Sequence, residues 1–224
     1  MNSLNNFTKQ LICWGGGDQS IVLKPIIERL GSQYDIVIDD TVGALSPFNN
    51  VELLQGKIGF EKWLKGRDVS QIGFIIAIGN PYGHVRCALH DYLVDKGLTP
   101  VTICDPSALL DDDVHLESGI QIMKGAVINA KSHIGRQCII NTRSIIEHHC
   151  RLGEGVEIGP GAVLCGRVDV SQHSWVGAGA TILPRLKVGE NCIVGAGAVV
   201  TASTSNDAIF TGVPARFLKN NSHK

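Results

Sequence analysis

From Val114 onward, apolar and polar positions recur on a period of six residues, fifteen times without an insertion. The hexads run from VHLESG, IQIMKG and AVINAK to CIVGAG and AVVTAS. Their third position is always Leu, Ile or Val, from Leu116 and Ile122 to Val194 and Val200, and their first is small or aliphatic. A period of six fits neither an α-helix nor a simple alternating strand. It predicts a parallel β-helix, each hexad forming one flat side and three hexads closing one coil. Fifteen hexads therefore predict five coils.

The front of the chain has another rhythm. LICW (11–14), DIVID (35–39) and FIIAIG (74–79) are short apolar runs, each ending at a turn. Ser20–Leu30, with Ile21, Ile27 and Leu30 apolar, and His84–Lys96 have helical spacing. Strand and helix in alternation predict a small parallel α/β domain. Three strands make only half of a dinucleotide-binding domain. Pro106, after Asp105, disfavours continued regular structure and places the domain junction there. The expected division is 1–106, 107–203 for the β-helix, and 204–224 for a C-terminal cap. An open β-helix leaves strand edges that need covering, and NDAIFTGVPARFL is expected to pack over the final coil.

Lys and Arg number 20 against 21 Asp and Glu, with no basic tract. That argues against nucleic acid or an anionic membrane as a partner. No apolar run reaches the roughly 18 residues of a membrane span, and MNSLNNFTKQ has no signal-peptide pattern. A cytoplasmic protein is expected. The seven cysteines include no CxxC. Cys138, Cys150 and Cys192 occupy first hexad positions and read as small buried hydrophobes.

Two places carry candidate chemistry. Gly15-Gly16-Gly17 follows the first strand and precedes a helix, a context in which bare N–H groups and a helix N-terminus favour an anion. Asp39-Asp40 ends the second strand, where an acid in a dinucleotide fold holds a ribose hydroxyl. The fingerprint is incomplete, since Asp18-Gln19-Ser20 follows Gly17; a glycine-rich turn without a ligand is the alternative. The second place is Glu147-His148-His149, which breaks the chemistry of the repeat. An imidazole titrates near working pH and suits a general base, although His148 alone also fits a surface histidine. Asn129 and Asn141, at the fourth hexad position, suit bonds to turn backbone. His84, His90, His115, His133 and His173 have no role assignable from the sequence.

Together with the GGG and DD signals, IAIGN (76–80), INAK (128–131), NT-x4-EH (141–148), PGA (160–162), VGAGA (176–180), VGAGAVVT (194–201) and GVPA (212–215) resemble the PglD/NeuD family of bacterial sugar acyltransferases over nearly the whole chain. The resemblance implies a Rossmann-like front domain holding a nucleotide-linked amino sugar, and a left-handed β-helix. It also implies a homotrimer with acetyl-CoA in the groove between neighbouring β-helices, and direct acetyl transfer to the sugar's 4-amino group. By motif, His148 would be the general base and the Gly166 N–H the oxyanion donor. Ala178 and Ala196 would line the coenzyme groove. Gly16, Gly17, Gln19, Asp39, Asp40 and Asn80 would face the nucleotide sugar. No metal is expected.

Three departures qualify this. His149 stands where the family has Asp or Glu, and Glu157 where it often has a His near the coenzyme. The reciprocal exchange suggests that Glu157, from the adjacent subunit, supplies the missing carboxylate. The loop GGGDQS replaces a family loop whose histidine aligns with Gln19. Alternatives are a sialic-acid-type sugar O-acetyltransferase and a degenerate trimeric scaffold that binds acetyl-CoA without turnover. A zinc-dependent β-helix of the carbonic-anhydrase kind needs three histidines, commonly with a His-x4-His pair, and no two histidines here are five apart.

Overall fold

The computed structural model describes residues 9–222. The chain divides into two compact units. Among the described residues, one holds 9–78 together with Ala88–Ile103, and the other holds Gly79–Cys87 and 104–222. A single cut near residue 106 would not show that residues 79–87 group with the β-helix.

The front unit is Rossmann-like. Its strands are β1 (Gln10–Trp14), β2 (Ile36–Asp39), β3 (Glu52–Gln55), β4 (Ile72–Ile76) and β5 (Thr99–Pro100). They form one sheet in the order β3-β2-β1-β4-β5, with every pair parallel. The helices are α1 (Asp18–Arg29), α2 (Gly56–Leu64) and the part of α3 (Gly83–Asp95) from Ala88 on. The central strands are buried on both faces, which is why LICW and FIIAI read as continuous apolar runs. The sheet has five strands rather than three. β3 is an edge strand with no buried residue and β5 is two residues long, so neither leaves an apolar run in the sequence. Trp14 meets Phe60 and Tyr92 edge-on, at centroid distances of 5.4 and 6.0 Å.

The second unit is a left-handed β-helix. The second and third residues of each hexad form a two-residue strand that pairs in parallel with the strand eighteen residues away, as Val127, Ile145 and Val163 do in series. From Ile122 onward every third-position residue points inward and is buried. The first position packs beside it: Ala126, Cys138, Cys150, Val156, Ala162 and Cys192 are fully buried. Burial pushes the Cys138 thiol up to about 12 and the Cys150 thiol to about 11, so both stay protonated packing groups. Ser132, Ser144 and Ser174 fill the same position by donating to the carbonyls of Glu147, Asn141 and Gly189.

Each coil turns at the sixth hexad position through a left-handed backbone conformation. Glycine takes it at Gly155 and Gly161, but Lys131, Gln137, Arg143, His149, Arg167 and His173 take it as well. For an L-residue that conformation costs roughly 1–2 kcal/mol. The stacked ladders and buried core above and below hold it in place.

The tail does more than pack over the last coil. Ala208–Thr211 pairs in parallel with the strand Ile193–Val194, and Arg216–Asn220 returns antiparallel to it as the terminal strand of the eight-stranded sheet. The Val199 N–H donates to Gly212 and the Ala215 N–H to Val199, so the tail covers a second open edge too.

Truncating one core position tests the stack. Ile140→Ala should lower unfolding free energy by about 2–5 kcal/mol, read as a drop in the urea midpoint with an unchanged slope.

Candidate active site

His148 is the fifth residue of its hexad and exposed; His149 is the sixth and half-buried. His149 adopts φ 60°, so the corner fixes the direction of its Cα–Cβ bond. The two rings lie nearly perpendicular with centroids 5.3 Å apart, and Nδ1 faces Nδ1 at 3.1 Å. Two facing nitrogens at that distance share one proton between them. Partial desolvation, then the positive charge of Arg167, hold His149 below the ordinary imidazole range. A neutral His149 can therefore accept that bond.

Gly166 is eighteen residues on, at the same corner of the next coil. A Cβ built there would sit 2.6 Å from His148 Nε2 and 2.7 Å from Cε1. The imidazole thus lies against the glycine backbone, and a side chain at 166 would push it away. Ala178 and Ala196 are exposed and stacked one coil apart, on a different corner, the one that follows the eight-stranded sheet. His148 and Gly166 are brought together within one chain; the two alanines belong to another edge of the prism.

Glu157 is not with either group. Its strand, Glu157–Ile158, lies in the middle of the eight-stranded sheet, and its side chain is buried. Oε1 accepts bonds from Asn80 Nδ2 at 3.0 Å and Asn141 Nδ2 at 3.2 Å. Oε2 lies 3.9 Å from Arg86 Nη1. Burial raises the Glu157 carboxyl above its ordinary value despite the Arg86 charge and both amides. The carboxylate is thus engaged by groups of its own chain. Two related expectations change with it. Asn141 bonds Glu157 rather than turn backbone, and the Asn80 amide is committed to Glu157.

Arg86 was not legible as a site residue. It sits inside a helical pattern, and nothing local marks it. In the structure it is fully buried, and its guanidinium donates to the carbonyls of Gln137 (3.0 Å), Gly155 (2.8 Å) and Gly79 (3.3 Å). Burial, partly offset by Glu157, lowers its pKa, yet a guanidinium remains charged. Gly83 approaches the same coil so closely that a Cβ there would lie 2.2 Å from the Gly155 carbonyl oxygen.

In the front unit the glycine loop is tighter than a bare anion cradle. The Gly15 N–H donates to Ile38 O at 2.7 Å, and the Gly16 N–H donates to Asp39 Oδ2 at 2.7 Å. Two of the three glycine amides are therefore already used. Gly15 has φ 108°, and a Cβ there would lie 2.4 Å from the Ala77 carbonyl oxygen, so no other residue fits. Gly17 is exposed and caps α1, and Gln19 lies in that helix's first turn. Asp39 also accepts the Thr41 N–H at 2.8 Å. Burial would raise its carboxyl, but the N–H groups of Thr41 and Gly16 hold it below the ordinary range. Asp40 is exposed and accepts from Trp14 Nε1 at 3.1 Å. Gly16, Gly17, Asp39 and Asp40 thus sit together at the C-terminal ends of β1 and β2, where open parallel sheets bind ligands.

A six-repeat family described as bacterial transferase hexapeptide matches residues 131–166 and 168–202. The chain is 31% identical over 155 residues to a GDP-perosamine N-acetyltransferase of Escherichia coli O157:H7, covering 69% of this chain and 67% of that one. The crystal structure of PerB from Caulobacter crescentus, in complex with CoA and GDP-perosamine, superposes with a TM-score of 0.84 at 28% identity, over 94% of this chain and 97% of that one. The acetyltransferase domain of PglB from Neisseria gonorrhoeae, in complex with acetyl coenzyme A, shares the fold with a TM-score of 0.83 at 24% identity, over 94% of this chain and all of that one. These likenesses define an acyltransferase of the hexapeptide-repeat class. Within that class the chain belongs to the PglD/NeuD-like sugar acetyltransferases, the family of the GDP-perosamine enzyme.

The buried pair can be tested without substrate. Arg86→Met leaves Glu157 without its countercharge and should cost about 3–5 kcal/mol. The double variant Arg86→Met with Glu157→Gln should recover most of it. With Arg86 gone, the Glu157 pKa rises further above its unfolded value. Stability of the single variant should then be best at acid pH and fall as pH rises through the folded pKa, measured by urea unfolding across pH.

Proposed function

We propose that the protein transfers an acetyl group from acetyl-CoA to the 4-amino group of a nucleotide-linked amino-dideoxy sugar, with His148 as general base. The observation that carries this reading is the imidazole of His148 lying against Gly166 with its Nδ1 turned to His149. Likeness to relatives whose complexes hold CoA and GDP-perosamine supports the substrate class, with a GDP-linked sugar as the first candidate.

The tautomer follows from the dyad. For His148 Nε2 to be free as a base, the shared proton must sit on His148 Nδ1 and be donated to His149 Nδ1. His149 then carries its own proton on Nε2. As the sugar nitrogen bonds to the thioester carbonyl carbon, Nε2 of His148 takes the proton that nitrogen loses. The carbonyl oxygen becomes an oxyanion, and the Gly166 N–H is the proposed donor to it. Collapse breaks the carbon–sulfur bond, and the proton on His148 Nε2 passes to the departing thiolate. His149 contributes an acceptor rather than the negative charge of the family's usual acid. Its neutrality keeps the shared bond available while His148 is transiently protonated.

Ala178 and Ala196 are small and stacked, which suits close approach of a pantetheine arm to the backbone. They and His148 lie on different edges of the prism, so a coenzyme site using both needs neighbouring chains. The outward residues of the six-stranded sheet, Val127, Ile145, Val163, Thr181 and Val199, carry no charge. The corresponding column on the five-stranded sheet, His115, His133, Arg151, Asp169 and Lys187, is polar. That apolar face supports a homotrimer with three shared grooves. Asp39, Gly16 and Gly17 support a nucleotide sugar on the front unit, Asp39 toward a hydroxyl and the α1 N-terminus toward phosphate.

CoA release should be measured with GDP-, UDP- and dTDP-linked 4-amino sugars and with sialic acid. Turnover with an amino sugar is expected, and His148→Asn should lower it by roughly 10²–10⁴-fold while acetyl-CoA still binds. Activity on sialic acid alone would move the assignment to O-acetyl transfer. Acetyl-CoA binding with no turnover on any acceptor would favour the degenerate scaffold.

The dyad itself makes a separate prediction. His149→Asp restores a carboxylate that favours the His148 imidazolium. The acid limb of the pH–rate profile should move to higher pH, whereas His149→Ala should lower turnover without that shift.

A further inference from the structure

Cys87, Glu154 and His173 are far apart in the sequence and have no part in the acetyl-transfer reading. In the second unit one ligand atom from each lies within 4.8 Å of the other two. Cys87 is buried and in no disulfide. Glu154 and His173 come from successive coils, and the His173 N–H donates to the Glu154 carbonyl at 2.9 Å. His173 is a left-handed corner residue at φ 60°, so the coil sets the direction in which its Cα–Cβ bond leaves the chain. Its Nδ1 is buried with no hydrogen-bond partner, while Nε2 lies 3.8 Å from Glu154 Oε1. Glu154 Oε2 accepts Arg136 Nε at 2.6 Å, which orients the carboxylate and leaves Oε1 turned to the histidine. The ring of His84 stands 6.5 Å from that of His173.

A buried, unbonded imidazole nitrogen is costly unless something meets it. An unprotonated imidazole nitrogen is a common ligand of divalent metals. Thiol, imidazole and carboxylate together are the donor set of zinc and its borderline neighbours, not of magnesium or calcium. A tetrahedral ion with ligands about 2.0–2.3 Å away sets its donors somewhat closer than the present spacing. A small side-chain contraction would close the shell, with water or His84 in the fourth position.

We infer that Cys87, Glu154 and His173 form a structural site for a zinc-type divalent cation. The ion clips residues 79–87 to the corner of the β-helix. That segment also carries Asn80 and Arg86, so the ion would work with the buried Arg86–Glu157 pair rather than take part in acetyl transfer. On binding, the Cys87 thiol loses its proton to solvent and the thiolate ligates the ion.

The test uses the full chain stripped with a chelator and titrated with Co²⁺, then Zn²⁺, with no acceptor or coenzyme present. One Co²⁺ per chain with a thiolate-to-cobalt charge-transfer band, displaced by Zn²⁺, is expected, together with a rise in melting temperature on adding Zn²⁺. Cys87→Ser should abolish the band. His173→Asn, which keeps a residue tolerant of the left-handed corner, should weaken binding beyond the roughly 10–100-fold that loss of an outer-shell partner costs. Absence of the band in folded wild-type protein would overturn the site, and so would a band that survives in Cys87→Ser. Because none of these readouts involves turnover, their failure leaves the acetyltransferase reading untouched, and the reverse also holds.

Discussion

Every flat side of the β-helix rests on the side eighteen residues away, and that stacking constraint governs the second unit. It forces an inward branched aliphatic at the third hexad position, a small partner at the first, and a left-handed corner at the sixth. Once these are met, residues distant in sequence become neighbours at a fixed offset. His148 meets Gly166 in this way, Glu157 meets Asn141, and His173 meets Glu154. The corners have a second consequence. A residue such as His149 or His173 held at φ near 60° has its Cα–Cβ direction set by the coil.

The dyad and the buried pair show two different uses of polar groups in this scaffold. His148 and His149 stand at a solvent-facing corner, where an imidazole can exchange protons. Arg86 and Glu157 are removed from water; Arg86 meets three main-chain carbonyls, Glu157 meets two side-chain amides, and the two face each other at 3.9 Å. A buried pair of this kind is poor evidence of net stability, because desolvation offsets the attraction, but losing either partner is severe. It fixes which residues lie beside the Glu157 strand. Glu157 is thus a buried acceptor for Asn80 and Asn141.

Much of the fold was legible because it rests on period and burial. Fifteen hexads could be counted, and the inward residues named, before any coordinate was known. The three central strands β1, β2 and β4 and the helices α1 and α3 were equally visible, since continuous apolar runs and helical spacing announce them. β3 and β5 were not, one being a half-exposed edge and the other two residues long. The candidate site was partly legible: His148 broke the repeat, and the family resemblance pointed to Gly166, which lies against its ring. Arg86 left no signal, and the roles expected of Glu157 and Asn80 did not anticipate the bonds they make.

What the sequence determined by itself is whatever repeats or runs: the hexad period, the apolar core positions, the glycine turn after β1, and the acid at the end of β2. Those follow from local chemistry and spacing. Tertiary structure alone decided the pairings that cross long separations. It spent two glycine amides on Ile38 and Asp39. It turned Nδ1 of His148 to Nδ1 of His149, buried Arg86 beside Glu157, and gathered Cys87, Glu154 and His173 at one corner. The reason is physical. A period reports which side of the chain faces the core, but not which other segment arrives to meet the side that faces out.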